Sequence, residues 1–226
     1  MRGAAGLRRF VGPTGSALPF TLSQPRPRGE GCEMCNADMT IGHSHVVNIE
    51  TRSLMCTCRA CFLLFTHDGA GRGNYRSVPD RYLVDPDFQL TEGQWEELQV
   101  PVSMAFFFHN SAQQRVIAQY PSPAGATECL LDLAAWDTIV RENPLAAALT
   151  PDVEALIVHR TREGNASYLV PIDACYELVG LIRMHWTGFD GGPEARADIA
   201  EFFGRMAKRS RPLTPDTDVR TGADRG

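Results

Sequence analysis

Apolar residues along this chain recur with two periods, and each period marks a different kind of element. Alternation appears first in His45-Val-Val-Asn-Ile-Glu-Thr51 and Ser53-Leu-Met-Cys-Thr-Cys58, which predict a hairpin turning at Thr51-Arg52-Ser53. Met104–Phe108 and Arg115–Tyr120 predict a second hairpin around the polar loop 109–114, and Val153–Arg160 with Ser167–Ile172 a third around Glu163-Gly164-Asn165. Tyr75–Val84 and Cys129–Leu133 read as extended segments. The helical period enters later. Thr91-Glu-Gly-Gln94 has the form of a capping box opening a short helix through Leu98, and a helix from Ala134 to Arg141 must stop before Pro144. Cys175, Leu178, Leu181 and Ile182 stripe a helix that Asp173 can cap, and Ile199, Phe202, Phe203 and Met206 stripe another over Ala195–Lys208. Hairpins followed by helices predict an α+β fold, with a mainly antiparallel sheet covered on one face and helices at the C-terminal end.

Punctuation between these patterns divides the chain. Residues 1–30 are rich in Pro, Gly, Ser and Arg and predict a disordered tail, as do residues 209–226. Between them lie a cysteine-bearing module over 31–68 and the larger α+β domain over 69–208. Gly69-Ala-Gly-Arg-Gly73 is a joint; it lacks the flanking strand and helix and the Gly-Lys-Ser/Thr ending of a phosphate loop. Phe62-Leu-Leu-Phe65 is apolar on both faces, so this run is expected to dock the module on the larger domain.

Composition narrows the function classes. The 226 residues carry a net charge of −5 and a sequence pI near 5.7, which argues against nucleic-acid binding. No stretch approaches the roughly 18–20 apolar residues of a membrane span. Arg8-Arg9-Phe10-Val11 superficially resembles an export signal, but the prolines that follow break the apolar region such a signal needs. The expectation is a cytoplasmic protein. Nearly all basic residues are arginine, Lys208 being the only lysine, a bias that suggests GC-rich coding and a bacterial source.

The chemistry is concentrated in the cysteines. Five of the seven fall within thirty residues, as Cys32-Glu-Met-Cys35 and Cys56-Thr-Cys58-Arg-Ala-Cys61. Two Cys-x-x-Cys turns that aim four thiolates at one point suit a closed, structural zinc site. Such turns closing the open end of the first hairpin make a zinc-ribbon-like module, expected to pack on the larger sheet. Cys32, Cys35, Cys58 and Cys61 are the preferred ligands because they give symmetric knuckles. Cys56 lies two residues before Cys58, on the same face if the strand continues, so it either replaces Cys58 or remains a nearby free thiol. His43 and His45 lie between the knuckles and could also ligate, although a Gly-His-Ser-His turn at the surface is the commoner meaning. Iron held by four thiolates, as in rubredoxin, is the alternative metal; those turns usually carry glycine after the second cysteine, where Asn36 and Phe62 stand here.

The larger domain offers little comparable chemistry. Cys175 lies on an apolar helix face, and Cys129 has no nucleophile motif around it that would recruit His109 or His185. His159 reads as a surface or interface residue, and Glu128, Asp132, Asp152, Glu154 and Asp173 mostly as caps and turns. No catalytic residue is assigned, and a binding role is favoured over an enzymatic one.

Cys32-x-x-Cys35, Leu54-Met-Cys-Thr-Cys-Arg-Ala-Cys-Phe-Leu-Leu-Phe65, Tyr120-Pro-Ser-Pro-Ala-Gly-Ala-Thr-Glu128 and Pro171-Ile-Asp-Ala-Cys-Tyr-Glu-Leu-Val-Gly-Leu-Ile182 resemble an uncharacterised bacterial protein family. Its members are often encoded beside nickel–iron hydrogenase genes. The resemblance covers roughly residues 31–208. It implies an accessory, maturation or partner role, with a hydrogenase subunit or maturation factor as the protein partner.

Overall fold

A computed structural model describes residues 31–67, 69–129, 131–161, 164–188, 191–214 and 217–218. The segment expected to be an N-terminal tail, 1–30, lies outside the described residues. Two sheets carry the fold. The smaller contains β1 (Ser44–Asn48), β2 (Ser53–Thr57) and β3 (Tyr75–Ser77), in the order β2-β1-β3 with antiparallel pairing throughout. The first hairpin forms, with Val47 opposite Leu54, but β1 ends at Asn48 and the turn spans 49–52 instead of 51–53, with Arg52 at a left-handed φ of 56°. Beyond β2 come the short helix α1 (Arg59–Leu63) and one 3-10 turn (Ala70–Gly73). β3 therefore joins the hairpin from across the glycine joint.

The larger sheet contains β4 (Leu83–Val84), β5 (Met104–Asn110), β6 (Arg115–Ser122), β7 (Gly125–Cys129), β8 (Glu154–Thr161), β9 (Gly164–Pro171) and β10 (Arg211–Pro212). Their order is β10-β4-β9-β8-β5-β6-β7, and every pairing except β10 with β4 is antiparallel. Helices α2 (Glu92–Glu97), α3 (Leu133–Glu142) and α4 (Pro144–Ala147) lie between strands in sequence, and α5 (Ile172–His185) and α6 (Gly192–Arg209) follow β9. The expected capping box is present: Thr91 Oγ1 accepts from the Gln94 backbone N–H, while Gln94 Oε1 accepts from that of Thr91. Asp132 caps α3 by accepting from the backbone N–H groups of Ala134 and Ala135.

The sheet is covered on both faces, not on one as its hairpins suggest. Phe107, Leu156, Val158 and Leu169 pack with Trp95, Trp136, Ile139 and Leu145 from α2, α3 and α4. The alternate positions Phe106, Ala155, Ile157 and Val170 pack with Leu178, Ile182, Phe202 and Met206 from α5 and α6. Successive strand residues point to opposite faces, so the continuous apolar runs of β5 and β8 fill two cores at once. The helical stripes read from the sequence face the second of these cores.

Val47 and Leu54 of the hairpin join that same core, which makes the smaller sheet a zinc-ribbon-like module packed on the larger one. Arg76 on β3 adds an ion pair to Asp152 at 3.4 Å. The run 62–65 does not dock the module: Leu63 and Leu64 are 51% and 65% exposed. The hairpin presents its branched side chains to the core, while α1 turns its leucines outward.

The expected C-terminal tail is also ordered in part. Arg211 runs beside β4, and its guanidinium donates to both oxygens of Asp218, which is buried. That guanidinium holds the Asp218 carboxyl below the usual carboxylate range. Arg81 lies within 3.7 Å of the same carboxylate and donates to Glu154 through Nε at 2.7 Å and Nη2 at 2.6 Å. Glu154 is fully buried at the head of β8, and its Oε2 also accepts from the Thr150 backbone N–H at 2.9 Å.

Two expectations follow from these buried polar groups. Arg81→Ala leaves Glu154 without its cationic partner, so urea unfolding should show a loss of about 3–5 kcal/mol. His159 is half-buried and stacks on Phe203 with ring centroids 4.6 Å apart, at the interface between the sheet and α6. Burial lowers its pKa below the ordinary value. The unfolded chain therefore binds the His159 proton first as pH falls through about 6.5, and stability declines below that pH. His159→Phe should flatten this slope in unfolding curves measured between neutral and mildly acidic pH.

Candidate metal centre

Two different backbone devices aim the clustered cysteines. The first is a tight turn in which the Asn36 N–H donates to the Cys32 carbonyl at 2.7 Å and the Cys32 N–H to the Ala37 carbonyl at 2.8 Å. Asn36 closes it with a left-handed φ of 59°, a conformation asparagine tolerates better than most side chains and one that glycine usually supplies. Gly31 leaves room beside it, since a Cβ there would lie 2.9 Å from Asn36 Oδ1 and would have to push that side chain aside. The second device is a helix start. Cys58 is the N-cap of α1, and its Sγ faces the Cys61 N–H at 3.5 Å. The knuckles are thus not the symmetric pair anticipated, and Phe62 needs no left-handed backbone because it lies inside a helix.

The first turn is tied to β2 by backbone and side chain together. Glu33 donates its N–H to the Cys56 carbonyl at 2.9 Å, and the Cys56 N–H donates back to Glu33 Oε2 at 2.5 Å. This brings Cys32, Cys35, Cys58 and Cys61 into one group whose Sγ atoms all lie within 4.8 Å of one another. Cys35 and Cys58 are 3.7 Å apart. A tetrahedron with zinc–sulfur bonds of about 2.3 Å has edges of about 3.8 Å, so this group could hold a metal ion with little movement. Cys32 and Cys61 are buried, Cys58 is half-buried and Cys35 is exposed.

Protonation in this group is uneven. Burial raises the Cys32 thiol, but the backbone N–H groups of Cys58, Cys35 and Met34 lower it further, to about 6. The Cys35 side chain, burial and the remaining sulfurs push Cys61 up to about 12. One thiolate is readily available and another resists forming beside it. A bound cation removes that conflict by favouring every thiolate at once.

Cys56 does not share the face of Cys58, because β2 ends at Thr57 and the chain turns into α1. Its sulfur lies instead with His43 and His45, all three half-buried and with one potential ligand atom each within 4.8 Å of the others. His45 is not in a surface turn: it lies on β1 and its Nδ1 is 2.8 Å from Asp173 Oδ2. Asp173 lies in the first turn of α5 and makes no cap, since the helix begins directly after Pro171 with no side-chain N-cap bond. Local sequence reasoning missed this link. The spacing of His43 and His45 at the entrance to β1 was the available signal that both side chains meet on one side.

A cleft of about 290 Å³ separates the hairpin from the sheet and α5, lined by Val47, Leu54, Phe106, Ile117, Glu128 and Tyr176 among others. No histidine lines it among the described residues. Cys129 lies elsewhere: its Sγ donates to the Ala118 carbonyl at 3.5 Å, and it packs at the edge of the core under α2, α3 and α4. Cys175 is buried in the opposite core. Among the described residues, neither thiol is hydrogen-bonded to a histidine.

No curated protein and no solved structure matches the chain. The profile of a family of unknown function, DUF5947, matches residues 31–210, a span that takes in the four-cysteine group, the smaller sheet and all of the larger sheet except β10, and the chain belongs to that family.

Proposed function

We propose that the chain is a non-enzymatic, zinc-binding accessory protein that acts in the assembly, maturation or partnering of a nickel–iron hydrogenase. The observation that carries the metal reading is the convergence of the four Sγ atoms of Cys32, Cys35, Cys58 and Cys61 within 4.8 Å. Four thiolates complete a tetrahedral shell and leave no open position for substrate, which is the pattern of a structural site. Zinc suits it because the ion has no redox chemistry to perform and no geometric demand beyond the tetrahedron.

The partner reading rests on the resemblance to a bacterial family often encoded beside nickel–iron hydrogenase genes. It is supported by the exposure of Leu63 and Leu64 next to the metal centre, an apolar step that a protein partner would cover. An odd number of cysteines, five of them clustered, suits metal binding in a reducing compartment such as the bacterial cytoplasm better than a disulfide framework. A second reading, a rubredoxin-like electron carrier, is favoured by one feature. Cys35 is exposed, so an iron ion in the same shell would lie close to the surface.

Metal analysis of aerobically purified protein separates the readings. Colourless protein containing zinc, with Cys61→Ser losing the four-cysteine zinc and the protection of the hairpin from proteolysis, is the expected outcome. Red protein carrying iron replaces it with the electron carrier. In the native host, a tagged full chain should retain a hydrogenase subunit or maturation factor, and recovery of the chain without either contradicts the partner assignment.

A further inference from the structure

His43, His45 and Cys56 have no part in the four-sulfur shell. Alternation along β1 places His45 on the same strand face as Val47, and along β2 it places Cys56 with Leu54. Val47 and Leu54 pack into the core beneath α5, so this is the face the hairpin turns toward the larger domain. His45 and Cys56 are directly opposite each other in the β1–β2 register. The rings of His43 and His45 meet edge-on with centroids 4.8 Å apart.

Two further observations point to a ligand. His43 Nε2 is buried from solvent and has no hydrogen-bond partner, a state that is ordinarily unfavourable unless something satisfies the atom. His45 is oriented by a carboxylate: Asp173 accepts from Nδ1, which leaves the ring's lone pair on Nε2. Metal-binding histidines are characteristically held in this way, the carboxylate fixing both tautomer and ring orientation.

The geometry points to a second metal site, made by His43, His45 and Cys56 with Asp173 as the positioning residue for His45. Two imidazoles and one thiolate match the borderline preferences of zinc. Three protein ligands leave a fourth position for water or an exchangeable group, in contrast to the closed shell of the four cysteines. All three ligands are half-buried. Because Asp173 belongs to α5, the site spans the junction between the ribbon and the larger domain. It shares no ligand with the four-cysteine group, and it stands whether that group holds zinc or iron.

Zinc and iron are counted separately by mass spectrometry on the full chain after dialysis against a small excess of Zn²⁺ and then metal-free buffer. Wild type should carry one zinc equivalent more than Cys56→Ser or His43→Gln, while the metal of the four-cysteine group stays unchanged in both variants. Asp173→Asn should weaken only the second equivalent, by about 10–100-fold in Zn²⁺ titration. Co²⁺ loading assigns the losses, because the four-thiolate absorption must persist in both ligand variants. A wild type without the extra equivalent, or an extra equivalent that survives both substitutions and so binds elsewhere, overturns the site. Loss of the four-thiolate band in Cys56→Ser also overturns it, by returning that sulfur to the main group. If Cys56→Ser does not fold, His43→Gln alone decides.

Discussion

The convergence of Cys32, Cys35, Cys58 and Cys61 is the contact on which the N-terminal module depends. A hairpin of two short strands is marginal in water, and only a few side chains of this region, among them Val46 and Val47, are buried. The first cysteine turn touches β2 mainly through Glu33 and Cys56. Without a cation the group does not ionise together, since the Cys35 side chain and burial push Cys61 up to about 12 while Cys32 falls to about 6. With one, every thiolate becomes a bond, and binding free energy becomes folding free energy.

Consequences run outward from that point. Closing the knuckles sets the end of β2 and the start of α1, which separates Cys58 from Cys56 and sends their sulfurs to different groups. A fixed hairpin presents Val47, Leu54 and His45 as one face to α5, where the first two join the core and the third meets Asp173. At the sheet's other side, Arg81 gathers Glu154, Asp218 and the Ala148 carbonyl, fastening β8 to the segment after β10. The apolar cores supply bulk stabilisation, and these polar junctions fix which segments meet.

Much of this was legible in the chain itself. The hairpins, the capping box at Thr91 and the apolar stripes over Leu178 and Phe202 are local patterns, and they form where their periods place them. The cysteine spacing likewise marked the side chains that come together. What escaped is non-local or ambiguous. Adjacent Phe106 and Phe107 feed opposite cores, but the same run suits a sheet buried on one face. Asp173 stands where a helix cap belongs, yet its partner is a histidine 128 positions away in sequence. Arg211 and Asp218 look like tail residues until Arg81, far back in the chain, supplies the buried environment that orders them. The knuckle asymmetry escaped because Arg59–Leu63 is too short to show a helical period.

Hydrogen exchange of the full chain before and after treatment with a strong chelator tests the central claim most directly. Removal of the metal should abolish protection across β1, β2 and the first cysteine turn, while the strands β5, β8 and β9 and the helices α5 and α6 keep theirs. Unchanged protection in β1 and β2 after complete metal loss would contradict the account, because the module would then be held by its apolar contacts alone.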